Sequence, residues 1–361
     1  MLDRDDPLPL YFQLSERIKK QIESGQIKVG DKLPSESEMV EAYGIGRLTV
    51  RGALSHLVNT GYLKKIHGKG TYCISAGAAA EKLNINIILD LAYTYFVPYY
   101  LKSISAALSA NNCNIIVNDS HDNAEKISEI LEGILREGSS GVIVQPVRIL
   151  AKTPERLKNA FRGLRSAGIP YIMIDSVFED VDGSFTVLDE RKGGAVAARY
   201  LYQLGHRYLA MIYPVQYRDS LYRKDGFSEA CASLGVPPPL FIPYDQKQIK
   251  NLAAVLKSGG VTALFCYNDE LAVEVLRVLK DSGIKVPGGI SVLGFDDSVL
   301  ASTVEPALTS IAHPKQLMGD LAAKALLDLI NKKTLWPFVH YFAPKLVKRE
   351  SCARLSGKAD P

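Results

Sequence analysis

The feature that most restricts the fold of this chain is a series of strand-length apolar runs that begins at Leu83 and alternates with helix-length segments. The runs read INIILDL, NIIVND, GVIVQP, YIMID, YLAMIY, TALFCYND and ISVLGFDD. They show little apolar/polar alternation, as expected for strands of a parallel sheet that helices cover on both faces. Because this part of the chain is long for one such sheet, we predict two lobes, with FTVLDE as the first crossing between them. Ligands of such folds bind where the carboxyl ends of the strands meet, which is here a cleft between the lobes.

The first part of the chain has a different pattern, of short helices followed by a hairpin. The apolar residues from Leu10 to Ser24 form one helical stripe, and Ser35 with Glu38 in LPSESEM predicts a capped second helix. A third helical pattern starts at about Arg47 and ends at NTG, after which YLKKI and TYCI predict two strands joined by HGKG. Three helices and a hairpin predict a winged helix-turn-helix, and the small, polar SAGAAAEK predicts a linker after it.

The third helix and the hairpin lie in a stretch without acidic residues, YGIGRLTVRGALSHLVNTGYLKKIHGKGTYCIS, in a chain with 39 Asp and Glu. The net charge of the whole chain is only +4, so this signal for a nucleic acid is local. Arg47 and Arg51 are one turn apart and should face away from the apolar stripe, with their side chains free to reach base edges or phosphates. Thr49 is a candidate phosphate donor, and His67 and Lys69 at the hairpin tip could contact the minor groove or the backbone. The alternative is a solvated basic surface.

The stretch LPSESEMVEAYGIGRLTVRGALSHLVNTGYLKKIHGKGTYC resembles the winged-helix domain of the GntR family of bacterial regulators, and the resemblance covers roughly residues 9–74. It implies DNA contacts at Arg47, Arg51, His67 and Gly68, and places Glu36 at the usual acidic position of the second helix. The sequence departs from the family pattern at Ser37, Gly46 and Leu48. The resemblance therefore implies DNA binding but leaves the operator sequence open.

A second resemblance covers the apolar runs of the rest of the chain. LYQLGHRYLAMI, YRKDGFSEA, CYNDELAVEVLRVLKDSGIKVPGGISVLGFDDS, EPALTSIAHPKQLMGDLAAKALLDLI and LVKRES resemble the sensor domain of the LacI family, which has a periplasmic-binding-protein fold. We therefore predict an α/β protein with a winged helix-turn-helix domain at residues 1–74 and a linker at 75–82. A LacI-type sensor of two lobes with parallel sheets, which also carries dimerisation, should follow at residues 83–353.

Polar residues at the predicted strand ends are candidates for holding a sugar, whose hydroxyls need paired hydrogen bonds to charged or amide groups. Gln145 follows GVIV, Asn268 and Asp269 follow ALFCY, Asp296 follows ISVLGF, and Arg223 opens the helix of YRKDGF. The LacI resemblance implies ligand contacts at Arg223, Asn268 and Asp296. The alternatives are a helix cap for each strand-end residue, which is our interpretation of Asp269, and an ion pair between the lobes for Arg223.

Two further positions are candidates with a structural alternative. Tyr95 or Phe96, in YTYFVPYY, could stack on the apolar face of a sugar ring, or belong to the ordinary core. His313, at the end of LTSIAH, lies where the chain should cross between lobes, so it could touch the ligand or be a satisfied structural residue.

The combination of a GntR-type head with a LacI-type sensor is similar to the arabinose-repressor family of Gram-positive bacteria. The function that follows is a repressor that holds double-stranded operator DNA as a homodimer until a sugar, L-arabinose by resemblance, closes the cleft. The apolar segment LMGDLAAKALLDLI is the predicted dimer surface, because its apolar residues exceed what one helix face needs. A solute-binding protein for transport and an enzyme, such as a GntR-headed aminotransferase, are the alternative classes.

The remaining composition excludes several partners. Five scattered cysteines, without CxxC or histidine-rich spacing, predict no metal site and no cofactor, and indicate a reducing compartment. No apolar run approaches the roughly 20 residues that span a bilayer. The acidic, proline-broken start MLDRDDPLPL does not resemble a signal peptide, so we expect a cytoplasmic protein with no membrane partner.

Overall fold

The computed structural model describes residues 9–66, 68–75, 82–92, 95–149 and 152–355. Candidate His67 and most of the predicted linker, residues 76–81, therefore lie outside the described residues. The chain forms two compact units, Met1–Lys82 and Leu83–Pro361. None of the helices in the described ranges is long and apolar enough to cross a membrane.

The first unit is the predicted winged helix-turn-helix. Its elements are α1 (Leu10–Glu23), α2 (Glu36–Tyr43), α3 (Arg47–Asn59), β1 (Leu63–Ile66) and β2 (Gly70–Cys73), with β1 and β2 antiparallel. The predicted capping box at the start of α2 is present: the Ser35 hydroxyl accepts from the Glu38 amide at 3.3 Å, and the Glu38 carboxylate accepts from the Ser35 amide at 2.6 Å. The apolar stripes of the three helices meet in one small core, whose fully buried members include Leu14, Ile22, Val50 and Leu57.

The second unit contains two parallel-sheet lobes, as predicted. Its elements are, in chain order, β3 (Leu83–Leu89), α4 (Val97–Ser109), β4 (Cys113–Asp119), α5 (Ala124–Glu137), β5 (Gly141–Val144), α6 (Glu155–Ser166), β6 (Tyr171–Ile174), β7 (Ser184–Leu188), α7 (Glu190–Gln203), β8 (Leu209–Tyr213), α8 (Arg218–Ser233), β9 (Leu240–Pro243), α9 (Gln246–Ser258), β10 (Ala263–Cys266), α10 (Asp269–Asp281), β11 (Ser291–Asp296), α11 (Val299–Thr303), β12 (Thr309–Ala312), α12 (Lys315–Ile330), β13 (Val339–Phe342) and β14 (Lys345–Val347).

The sheet of the first lobe has the order β13-β7-β6-β5-β3-β4, and all its strands are parallel. Helices α4 and α12 cover one face and α5 and α6 the other, so the side chains of β3, β5 and β6 are buried on both faces. Burial on both faces is why these strands appear in the sequence as unbroken apolar runs.

The second lobe has the order β14-β12-β11-β10-β8-β9, in which only the edge strand β14, among the described strands, is antiparallel to its neighbour. Its helices α7 and α8 pack against each other through glycine. A Cβ on Gly194 would lie 1.9 Å from the Arg223 carbonyl oxygen, and one on Gly226 would lie 1.8 Å from that of Arg191. These glycines let the two helix backbones touch.

Within the described residues the chain crosses between the lobes at three places. It passes from β7 in the first sheet to α7 in the second lobe, as predicted for FTVLDE. It returns from β12 to α12, with His313 between them, and crosses again from β13 to β14. The crossings bring the carboxyl ends of both sheets together at one cleft.

The apolar excess from which we predicted a dimer surface on α12 is largely buried within the chain. Met318, Ala322, Ala323 and Leu326 are buried within the chain, where α12 packs on α4 and on the strands of the first lobe. Leu317, 64% exposed, points away from this packing. The homodimer is therefore proposed below without an exposed apolar surface on α12 as its support.

Candidate functional site

The start of α3 presents the two predicted arginines on the surface of the first unit. Both are exposed, as expected for DNA contacts, but each side chain has a hydrogen-bond partner instead of the predicted freedom. Arg47 Nη2 donates to the Ser37 hydroxyl at 3.1 Å, and Arg51 Nη2 donates to Glu36 Oε2 at 3.1 Å. Since an exposed ion pair such as Arg51–Glu36 contributes only about 0–1 kcal/mol, a phosphate can replace the Glu36 carboxylate.

Glu36, the predicted acidic position, holds two cations of this surface together. Its second oxygen accepts from Lys65 Nζ of β1 at 3.2 Å. The hydrogen bond from Arg51 is the main cause that lowers the pKa of Glu36. Glu36 therefore contacts Arg51 and Lys65 instead of presenting a bare carboxylate, which would repel phosphate.

The other predicted DNA residues surround these cations. Thr49 is half-buried on α3, while Gly68 at φ 72° and the exposed Lys69 form the turn between β1 and β2. Gly46 precedes α3 without a side-chain cap hydrogen bond from any described residue, so the first amides of α3 remain available to a phosphate. Leu48 is 81% exposed and adds an apolar group to this surface. The arrangement can bind a groove and its flanking backbones.

The cleft of the second unit is built around the buried Arg223 of α8. Its Nε donates to Glu190 Oε2 at 2.6 Å and its Nη2 to Glu190 Oε1 at 3.2 Å, while Nη1 donates to the Tyr267 carbonyl at 2.7 Å. The guanidinium carbon lies 3.6 Å from the centre of the Phe295 ring. Glu190 begins α7, in the same lobe as α8, so the observed ion pair is not the inter-lobe pair considered as the alternative.

Asp296 faces the same guanidinium from the end of β11. Its Oδ1 lies 3.6 Å from Arg223 Nη2 and has no hydrogen-bond partner among the described residues. Burial raises the pKa of this carboxyl, against the lowering charge of Arg223. Asp296 also has a φ of 100°, a strained backbone conformation that is uncommon outside glycine. The Asp219 carboxylate lies 3.8 Å from the same nitrogen, so three carboxylates of the described residues surround one cation.

Asn268, and not Asp269 as predicted, caps α10 in the structure. Asn268 is the N-cap of α10, and its side chain accepts from the Leu271 amide at 2.9 Å. Asp269, which we interpreted as the cap, instead accepts from the Ser310 hydroxyl at 2.6 Å and the Ser298 amide at 2.7 Å. Burial raises the pKa of Asp269 to about 6. The Asn268 side-chain oxygen is therefore engaged in the cap, and the ligand contact of Asn268 stays a prediction.

The first lobe meets the cleft through Asp175, which follows β6. Its carboxylate accepts from Tyr100 at 2.7 Å and from Gln145 Nε2 at 2.9 Å, and His313 Nε2 lies 3.1 Å from it. His313 sits in a crossing segment, so this contact connects that segment to the first lobe. Burial lowers the pKa of His313, which favours the neutral ring. Gln145 and His313 thus both contact Asp175, and their contact with a ligand stays a prediction.

The aromatic candidates lie at the mouth of this cluster. The Tyr95 and Phe96 rings have centroids 4.8 Å apart, and Phe96 lies 4.9 Å from the His313 ring. Phe96 also packs in the core of the first lobe, which is the structural alternative, and its stacking on a sugar stays a prediction. Lys315 Nζ lies 4.8 Å from the Phe96 ring and donates to the Asp296 carbonyl.

Contacts across the cleft hold the lobes together beside a cavity of about 280 Å³. Arg218 Nη1 donates to the Val177 carbonyl at 3.0 Å, and the Arg218 amide to the Arg148 carbonyl at 3.2 Å. The cavity is lined by residues of both lobes that include Asp175, Glu190, Arg218, Asp219 and Tyr341. Its size is near the lower end for small-molecule pockets, about 300–1,000 Å³, and suits a single sugar ring.

Our sequence reasoning missed four cleft residues: Asp175, Glu190, Asp219 and Lys315. Asp175 ends the strand run YIMID and Glu190 ends the crossing FTVLDE, so the strand-end rule that found Asp296 could have found both. Asp219 and Lys315 lie on helices, and their proximity to the cleft has no local signal in the sequence.

Comparisons with known proteins agree with both units. Residues 10–73 match the family described as "Bacterial regulatory proteins, gntR family", and residues 198–352 match the "Periplasmic binding protein-like domain". The chain is 31% identical to the arabinose metabolism transcriptional repressor of Geobacillus stearothermophilus, over 96% of this chain and 99% of that protein. It is also 31% identical to the protein of the same name from Halalkalibacterium halodurans, over 95% and 96% of the two chains.

Among solved structures, a LacI family transcriptional regulator from Enterococcus faecium with bound ribose has a TM-score of 0.63 and 26% identity, over 76% of this chain and all of that one. These relatives regulate transcription, which confirms the predictions that the chain is not an enzyme and acts in the cytoplasm. The chain therefore belongs to the family of GntR/LacI-type transcriptional repressors that includes the arabinose metabolism repressors.

Proposed function

We propose that this repressor binds operator DNA as a homodimer and releases it when a neutral monosaccharide, L-arabinose, occupies the cleft of the second unit. The single observation that carries the proposal is the buried Arg223–Asp296 pair, in which Asp296 Oδ1 lacks a hydrogen-bond partner among the described residues. An unpaired buried carboxylate oxygen is destabilising, and a ligand hydroxyl that donates to it removes that penalty. A neighbouring hydroxyl of the same sugar can accept from Arg223.

The charges around the cleft favour an uncharged ligand. Within the described part of the chain, five acidic residues and two arginines line the cavity. Beside it, Glu190, Asp219 and Asp296 surround the Arg223 guanidinium, and Lys315 is a further cation near Asp296. A sugar phosphate or sugar acid would bring another negative charge into this low-dielectric site, where like charges repel strongly. A neutral polyol, which donates several hydroxyl protons, matches the surplus of acceptors.

The choice of L-arabinose depends on the relatives. Two proteins at 31% identity are named arabinose metabolism transcriptional repressors, and the regulator from Enterococcus faecium contains ribose. We propose direct sugar contacts for Arg223 and Asp296 and ring contact for Tyr95 or Phe96. We propose that Gln145 and His313 act at the first-lobe side through Asp175, and that Asn268 acts mainly as a helix cap. Another pentose or small ligand is the alternative effector.

Calorimetric titration of the whole protein tests the effector. The panel consists of L-arabinose, D-arabinose, D-xylose, D-ribose and a phosphorylated pentose. We expect binding of one neutral pentose, and release of labelled operator at the same sugar concentration, because the two ligands are coupled through one conformational equilibrium. Preferential binding of the phosphorylated sugar, or no binding of any of the five, contradicts the proposal.

For the DNA surface we propose contacts from Arg47, Thr49, Arg51, His67, Gly68 and Lys69, with Glu36 positioning Arg51. Replacing Arg47 or Arg51 by alanine should weaken operator binding by about 1–3 kcal/mol each, the range for a lost base or buried phosphate contact. Fluorescence anisotropy with a labelled operator measures the change. Arg162→Ala is the control, since Arg162 is an exposed arginine on α6 of the second unit that pairs only locally with Glu155 and Asn159. Unchanged affinity in both folded variants rules out these contacts.

The homodimer is proposed because an operator of two half-sites matches a two-fold protein. Sedimentation equilibrium at micromolar concentration should give twice the 39.6 kDa mass of one chain, at least when operator is present. A single-chain mass with and without operator would refute it.

A further inference from the structure

We propose that Glu190 is a positioning residue for effector recognition: its carboxylate fixes the guanidinium of Arg223 so that the remaining N–H groups face the sugar. This inference rests on the proposed function, and it adds a residue that holds one of the proposed ligand contacts in place. Glu190 lines the cavity and accepts two hydrogen bonds from Arg223.

The hydrogen bonds around Arg223 leave a defined edge of the guanidinium for a ligand. A guanidinium has five N–H groups. Glu190 accepts two of them, at 2.6 Å from Nε and 3.2 Å from Nη2, and the Tyr267 carbonyl accepts one from Nη1 at 2.7 Å. One N–H group remains on Nη1 and one on Nη2. These are the two groups that can donate to the sugar.

The contact with Glu190 also keeps the Arg223 guanidinium from forming a direct ion pair with another carboxylate. The Phe295 ring, 3.6 Å from the guanidinium carbon, fixes the plane of the group but not its rotation within that plane. Asp296 Oδ1 at 3.6 Å and Asp219 Oδ2 at 3.8 Å from Nη2 are close enough to capture it after a small rotation. Such a rotation would join Arg223 directly to Asp296 and remove the partners that a sugar needs. The two-point contact with Glu190 opposes it.

The backbone supports this role. Glu190 is the first residue of α7 and follows β7 directly, so the crossing between lobes sets its position. The glycines Gly194 and Gly226 let the backbones of α7 and α8 approach closely, which brings Glu190 near Arg223. The Arg223 and Glu190 side chains are 3% and 10% exposed, so water cannot replace the pair.

The variants that test this are Glu190→Gln and Glu190→Asp, with Glu229→Gln as a matched control. Glu229 forms an ion pair with Arg191 between the same two helices, but both side chains are more than half exposed and lie away from Arg223. Glutamine keeps the size of Glu190 and loses the second acceptor and the charge, whereas aspartate keeps the charge on a shorter side chain.

Each variant is titrated calorimetrically with L-arabinose and with a set of its monodeoxy derivatives, and its melting temperature is measured without sugar. We expect Glu190→Gln to weaken L-arabinose binding by about 10- to 100-fold, Glu190→Asp to recover part of this loss, and Glu229→Gln to bind like the wild type. The derivative that lacks the hydroxyl held by Arg223 should bind weakly to the wild type. Its affinity should not fall further in Glu190→Gln, and the same result is expected for Arg223→Lys.

Wild-type affinity in Glu190→Gln, or an equal loss for every deoxy derivative together with a lowered melting temperature, overturns the positioning role while the proposed function stands. If the wild-type protein binds none of the sugars, the proposed function fails and the inference fails with it.

Discussion

Replacing Asp296 by asparagine is expected to leave operator binding intact and to abolish release of the operator by sugar. Asp296 Oδ1 is buried and lacks a hydrogen-bond partner among the described residues, so the proposed sugar supplies its donor. Loss of a hydrogen bond to a charged acceptor removes about 1.5–3 kcal/mol, or roughly 10- to 150-fold in affinity. Asparagine tolerates the φ of 100° better than most residues, and Arg223 keeps Glu190, so the fold should survive. The expected phenotype is permanent repression.

The experiment pairs Asp296→Asn with Asp297→Asn. Asp297 is adjacent in sequence, but its carboxylate pairs with Arg349 at 2.6 Å instead of facing Arg223. Operator affinity and the sugar concentration for half-release are measured for both. Release of Asp296→Asn at the wild-type concentration would show that the cleft or the effector class is assigned wrongly. Arg223→Ala is a poorer test, because removing the cation leaves buried carboxylates unpaired and should cost about 3–5 kcal/mol of stability.

The largest loss of stability is expected for Gly194→Ala in α7. The new Cβ would lie 1.9 Å from the Arg223 carbonyl oxygen, and this neighbour is backbone, which cannot move unless α7 and α8 separate. We expect a loss of more than about 3 kcal/mol in the free energy of unfolding. The higher helix propensity of alanine stabilises the folded state by only about 1 kcal/mol, which does not offset this loss.

Gly133→Ala in α5 is the matched control for this substitution. Its Cβ would have only the Arg136 side chain nearby, at 3.9 Å, so alanine should stabilise the helix by up to about 1 kcal/mol. Chemical denaturation of the full chain compares the two. Equal stability of Gly194→Ala and the wild type would mean that α7 and α8 are not in backbone contact in solution.

The sequence predicted the elements whose signal is local. The buried strands of both sheets appeared as apolar runs, and the Ser35–Glu38 capping box appeared as a spacing of three residues. Strands β9, β13 and β14 were missed because they are short edge strands with partly exposed residues. Strand β12 was missed because the stretch LTSIAH was used only to place His313 and was not assigned as a strand. Edge strands lack the burial on both faces that produces an apolar run.

The cleft was predicted only in part, because its geometry depends on residues that are distant in sequence. Arg223 and Asp296 were found by resemblance, but Glu190, 33 residues before Arg223, was not. Asn268 and Asp269 are both good helix caps, and no local rule decides which of two adjacent polar residues caps α10. Asp269 is held by hydrogen bonds from the Ser298 amide and the Ser310 hydroxyl, so Asn268 is left to cap α10.

The three crossings between the lobes have a consequence for how many independent motions the sensor has. Two bodies joined by one flexible segment can twist, slide and open separately, whereas three covalent connections side by side suppress all but rotation about the line through them. The relative position of the lobes is then described by one coordinate. A ligand that activates release and one that opposes it would then differ only in whether they favour the closed or the open arrangement of the lobes. Discrimination between sugars therefore has to come from the hydrogen-bonding groups that line the cleft.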